Sequence, residues 1–184
     1  MKIKKNTVLT IDQYINEALY NNKFGYYMKN NPFGKNGDYI TSPNISILFS
    51  EMIAIWIISF WENLKYPKKF NLIELGAGNG EMMKQILNTF KNFPLFQNCC
   101  EIHILEKSTY LKNIQKQNLK NKNIKWLKNL NEISNRPNIF IANEFFDALP
   151  IKQFIKKEQK WYERNIKFSK IYKPEFLNIL TNIK

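Results

Sequence analysis

The stretch "NLIELGAGNGEMM", residues 71–83, decides the reading of this chain. An apolar run closes on an acid, Glu74. Glycines follow at Gly76, Gly78 and Gly80. Beyond them Met82, Met83, Ile86, Leu87 and Phe90 recur on one helical face. The pattern is a strand, a glycine turn and a helix. A phosphate-gripping P-loop needs GxxxxGK[ST], and that ending is absent. A dinucleotide loop needs GxGxxG, but here the third glycine comes one position early and Glu81 holds its place. The motif is GxGxG. Its glycines let a ligand approach the backbone closely, and the amides at the helix start face the ligand's polar groups.

Two acids narrow the ligand. Glu74 ends the first strand two residues before Gly76, where a carboxylate repels a pyrophosphate and suits a cationic group. Glu106 ends the next strand, "CEIHILEKS", where an acid in a doubly wound sheet accepts hydrogen bonds from ribose hydroxyls. A nucleoside with a positively charged amino-acid tail satisfies both, and S-adenosyl-L-methionine is such a ligand. The alternative is a tight strand-to-helix turn with two solvent-facing acids.

Working outward, Thr10 and Gln13 form a capping pair for a helix starting near Ile11. Residues 30–44 read as a long loop rich in turn formers, and residues 45–61 as a helix. After "CEIHILEKS" come a helix over 108–120 and short strands at 123–127 and 138–150. "IKQFIKKEQKWYERNIKF" reads as a hairpin with "KEQK" at its tip, and "KPEFLNILTNIK" as a terminal helix or tail. These spacings predict βα units around a parallel sheet. The division expected is a helical cap with a covering loop over 1–65 and a partial Rossmann-like domain over 66–184.

A length of 184 residues with 44% hydrophobic content, 14 Phe, 9 Tyr and 4 Trp suits a folded domain with a sizeable core. The formal charge is +13, yet only Arg136 and Arg164 are arginines. Lysines scattered among Asn and Ile make a solvated surface, so no specific nucleic-acid partner is expected. Cys99, Cys100 and His103 lack metal-ligand spacing and read as structural. The apolar run 45–61 is interrupted by Glu51 and falls short of a bilayer span, so no transmembrane segment is expected. "MKIKKNTVLT" lacks the apolar core of a secretory leader. The location expected is cytoplasmic.

Five segments then resemble one family. They are "GYYM" (25–28), "FGKNGDYITSPNIS" (33–46), "ELGAGNG" (74–80), "ILEKS" (104–108) and "ANEFFDALPIKQF" (142–154). In this order they resemble the MidA-like methyltransferases, the family of mitochondrial complex I assembly factors. "NEFFDALP" is long and unusual, which makes it the most specific of the five.

The resemblance implies a Rossmann-like class I methyltransferase fold and S-adenosyl-L-methionine as cofactor. It also implies a protein substrate, methylated on an arginine side chain during complex I assembly. Carried onto this chain, Glu74, Gly76, Gly78 and Gly80 surround the methionine part and Glu106 holds the ribose. Leu127 lies near the adenine, and Asp38, Thr41 and Pro43 belong to a covering loop. Asn143 and Glu144 open toward the methyl. Glu144, then Asp147, are the candidate acids for the acceptor. The family loop reads closer to "GPGRG", so Ala77 and Asn79 are departures. Family members are about twice this length, which implies an incomplete sheet and a separate chain supplying the C-terminal half. Two other readings stand beside it: a noncatalytic remnant or binding module, and a nucleotide-dependent oxidoreductase.

Overall fold

The computed structural model describes residues 7–34, 37–120, 123–170 and 173–182. In chain order the elements are β1 (Val8–Thr10), α1 (Ile11–Tyr20), α2 (Tyr26–Lys29), α3 (Ser42–Ile45), α4 (Ile47–Asn63), β2 (Phe70–Leu75) and α5 (Glu81–Phe90). There follow α6 (Pro94–Cys99), β3 (Cys100–Leu105), α7 (Thr109–Leu119), β4 (Ile124–Leu127) and β5 (Asn138–Ile141). The last strands are β6 (Phe154–Lys157), β7 (Lys160–Lys170) and β8 (Lys173–Leu180). They divide into two compact units, Asn30–Phe145 and the pair of segments Met1–Lys29 and Phe146–Lys184. A boundary at residue 65 falls inside the first of these, because α4 packs on α5 and belongs with the parallel sheet.

In the unit Asn30–Phe145 the sheet order is β4-β3-β2-β5, all parallel. The chain leaves β2 toward β3 and β4, then returns to the other side of β2 as β5. The order therefore reverses between β2 and β5. Ligands of open α/β sheets bind in the crevice beyond the carboxyl ends at such a point. Glu74 pairs in register with Ile104 of β3 and Ile141 of β5, so it stands at that end of the sheet.

Phe70, Leu72 and Ile73 of β2 are fully buried, as expected of a central parallel strand covered on both faces. Burial of each stabilises the fold by about 1.5–3 kcal/mol. The core beside them joins Ala54, Ile57 and Trp61 of α4 to Met83, Ile86 and Phe90 of α5. Phe96 of α6 closes it, 4.5 Å from the Phe90 ring and 5.4 Å from the Trp61 ring, both edge-on. Sequence reading missed α6: it is six residues long, opens at Pro94, and forms because Phe96 has this aromatic pocket to fill. Cys100 and Cys99 are half-buried free thiols, and burial pushes the Cys100 thiol far up from its ordinary range. His103 is buried, with Nε2 3.1 Å from Asn71 Oδ1, and burial lowers its pKa.

In the other unit, the Gln13 side chain accepts the Thr10 amide at 3.1 Å, which fixes the start of α1. β6 and β7 form the expected hairpin. Glu158 and Gln159 both have positive φ, at 46° and 62°, as the tightest two-residue turns require. β1 and β6 pair with successive stretches of one edge of β7, and β8 pairs along the other. The C-terminal stretch is thus a strand rather than a helix or tail. Its residues gain hydrogen bonds from β7, a non-local partner that outweighs weak local periodicity; residues 183–184 lie outside the described residues. No helix among the described residues is long and apolar enough to cross a membrane.

Candidate functional site

The glycine turn is built from backbone conformations that side chains disfavour. Gly76 has φ +67°, and its N–H donates to Leu105 O at 2.9 Å, tying the turn to the end of β3. A Cβ there would lie 2.6 Å from the Phe145 ring. Gly78 has φ +54°, and a Cβ on it would meet the Phe33 ring at 3.3 Å. Both positions therefore exclude a side chain on conformational and steric grounds. Gly80 precedes α5 with φ +84°, and a Cβ on it would meet Gln115 and Leu119 of α7 only at 3.5 Å, so its backbone conformation rather than packing calls for glycine.

Glu74 is 2% exposed, and its Oε2 has no hydrogen-bond partner. Burial, and secondarily the charge of Glu106, push its pKa up to about 8. An orphaned buried carboxyl of this kind calls for a donor or a cation from outside the fold. Glu106 is also raised, chiefly by burial, but its oxygens have partners. Oε1 accepts the Ser108 amide at 2.9 Å, and Oε2 accepts from Gln115 Nε2 at 3.1 Å. A carboxylate has about four acceptor sites, so capacity for ribose hydroxyls is left over.

A cavity of about 50 Å³ opens on the turn. Of the residues expected from sequence, Thr41, Pro43, Glu74, Gly76, Gly78, Asn143 and Glu144 line it. Phe33, Asn44, Ala77, Asn79 and Met82 complete the lining. Thr41 and Pro43 are buried, and Glu144 is exposed with φ +49°. Asp38 is exposed and is not part of this lining. Leu127 is fully buried at the end of β4. Asp147 is exposed, in a 3₁₀ turn of the other unit. No group of three or more His, Cys, Asp or Glu able to hold a metal occurs among the described residues.

Sequence reading missed three connecting residues. Asn79 accepts the Glu81 amide at 3.1 Å through Oδ1, which caps α5, and donates to Asn44 Oδ1 at 3.1 Å through Nδ2. Asn44 in turn donates to Thr41 Oγ1 at 3.0 Å. One amide pair thus latches the loop around α3 to the glycine turn. Gln115 is the third. Its Nε2 reaches both Gly78 O, at 2.9 Å, and Glu106, while its Oε1 accepts the Trp126 indole N–H at 2.9 Å. A polar side chain just before a helix signals a cap, so Asn79 was findable. A buried glutamine inside a Lys- and Asn-rich helix has no sequence signature.

The chain is similar to known proteins in sequence and in fold. The chain is 36% identical to "Protein arginine methyltransferase NDUFAF7, mitochondrial" of Xenopus laevis, over 88% of this chain and 43% of that protein. Against the Homo sapiens protein of the same name it is 33% identical over 88% of this chain and 42% of that one. The chain therefore spans less than half the length of the curated relatives it matches. Among solved structures, a Burkholderia thailandensis protein bound to S-adenosyl-homocysteine superposes with a TM-score of 0.79 at 21% identity, covering 96% of this chain and 47% of that one. A second structure from that organism gives a TM-score of 0.73 at 21% identity, over 95% and 44%. The fold is that of a class I methyltransferase, a Rossmann-like α/β sheet with helices preceding it. The cytoplasmic location expected from sequence is overturned: the curated relatives are named as mitochondrial proteins. The model of the family described as "Putative S-adenosyl-L-methionine-dependent methyltransferase" matches residues 52–181, and the chain belongs to that family.

Proposed function

We propose that this chain binds S-adenosyl-L-methionine at the glycine turn and takes part in methylating an arginine of a protein during respiratory complex I assembly. The observation that carries the reading is Glu74. It carries a buried oxygen without a partner and lines a cavity that Gly76 and Gly78 also line, which fits a cationic amino-acid tail brought against bare backbone. In this reading Glu74, Gly76 and Gly78 hold the methionine part, and Glu106, braced by Gln115, holds the ribose. Leu127 bounds the adenine, and the latched loop with Thr41 and Pro43 covers the site; Asp38 stands further along that loop.

The cofactor, when bound, supplies a methyl group on a positively charged sulfur. The chain's own residues supply position, charge and exclusion of water. Glu144 stands at the exposed rim of the cavity with Asn143 beside it. Its carboxylate pairs with the incoming guanidinium, orients one nitrogen toward the methyl and accepts the proton released there. Relatives named as protein arginine methyltransferases support this acceptor. The outer edge of β5 has no partner among the described residues, so further strands, from this polypeptide or from a companion chain, would pair there.

Isothermal titration calorimetry tests the reading. S-adenosyl-L-methionine and S-adenosyl-homocysteine both bind. Below pH 8, binding releases up to about one proton, because a cation near Glu74 ionises it. Folded protein that takes up neither ligand overturns the proposal.

A further inference from the structure

α4 presents an apolar face that the fold leaves uncovered. Ala54, Ile57 and Trp61 face the core. On the opposite side Leu48 is 68% exposed, Met52 67%, Trp56 52% and Phe60 38%, with Ile55 beside them. The helix is apolar around most of its circumference, with Glu51 and Glu62 its only charged residues, a pattern typical of helices packed on more than one side. We infer that this face is an interface between two copies of this chain, formed by packing α4 against α4.

Four observations select that occupant. Leu48, Met52, Ile55 and Ser59 are spaced four, three and four residues apart, the seam that suits another helix in knobs-into-holes packing. Trp56 and Phe60 stack along its flank with ring centroids 5.4 Å apart, and Ser59 leaves room between the rows for a large side chain. The exposed surface of the five hydrophobic residues totals roughly 600 Å², about three quarters of the roughly 800 Å² per partner of a standard stable interface. Finally, no lysine or arginine occurs between Lys35 and Lys65 in a chain of formal charge +13. Two copies can meet here without opposing lysines. A membrane surface would instead favour basic residues beside the apolar stripe.

Sedimentation velocity on the purified chain tests this. The expected species has twice the 22.0 kDa mass of one chain and dissociates on dilution. Met52→Lys places an ammonium in the seam and should weaken association by about 100-fold. Circular dichroism should stay unchanged, because Met52 makes no core contact. Leu95→Lys, at a 79% exposed leucine on α6, should leave the dimer intact. A parent that stays monomeric overturns the inference. So does a dimer that survives Met52→Lys, one that Leu95→Lys disrupts equally, or a monomer that instead pellets with lipid vesicles.

Discussion

Replacing Glu74 by glutamine gives the sharpest test of the site's electrostatics. Glu74 is 2% exposed, with a pKa raised from 4.5 to about 8, first by burial and then by the Glu106 charge. Below pH 4.5 the group is protonated both folded and unfolded, and its favourable contribution is complete. Between 4.5 and 8 the unfolded chain loses the proton while the folded chain keeps it. Folding stability therefore falls by about 1.4 kcal/mol per pH unit, and the loss is complete above pH 8. The whole displacement corresponds to about 5 kcal/mol. Glu74→Gln keeps the shape and cannot ionise, so this part of the pH dependence vanishes. For a chain of this size the difference corresponds to roughly 10–20 °C in Tm. The assay is thermal unfolding of parent and variant at matched pH from 4 to 9 in buffers of constant ionic strength. Their curves should converge at low pH and diverge steadily to about pH 8, with the variant more stable. Parallel curves would refute the argument that the fold buries an uncompensated carboxyl.

Three further outcomes follow from the same geometry. Gly78→Val forces a branched side chain into φ +54° against Phe33 and should abolish S-adenosyl-L-methionine binding in calorimetry; unchanged affinity would remove the turn from the site. Gln115→Ala strips a partner from the Gly78 carbonyl, from Glu106 and from the Trp126 indole, and should cost about 2–4 kcal/mol in urea unfolding. A loss under about 0.5 kcal/mol would show that these bonds do not brace the turn. Glu144→Gln should leave cofactor affinity within about twofold while lowering methyl transfer by about 100-fold or more; equal loss of both would move Glu144 from the acceptor side to the cofactor side.

What sequence reading captured follows the range of the forces involved. The turn at 76–80 was legible because an apolar run, an acid and glycines lie side by side in the chain. The hairpin was legible for the same reason, its turn at Glu158 and Gln159 falling between two strands that pair locally. β8 was misread because its partner, not its own pattern, makes it a strand. β1 was missed because three residues have no periodicity, and it exists only as a partner of β7. Within the site, Glu74 and Glu106 announced themselves as acids at strand ends. The Asn44–Asn79 latch joins residues 35 positions apart and had no local signal. The compact units also cut across the division expected at residue 65, because pairing with β7 draws the start of the chain to its far end.

That pairing also sets a timetable for the ribosome. Thr10 must wait for Asn165, roughly 155 residues later, which at ordinary translation speeds means roughly 10–30 s. The whole segment Asn30–Phe145 emerges in the interval and can settle around β2 first. Until β7 arrives, the opening residues are a tethered strand without a mate and a natural target for chaperones. A synonymous codon change that slows synthesis between residues 145 and 165 would lengthen that exposure without altering a single side chain.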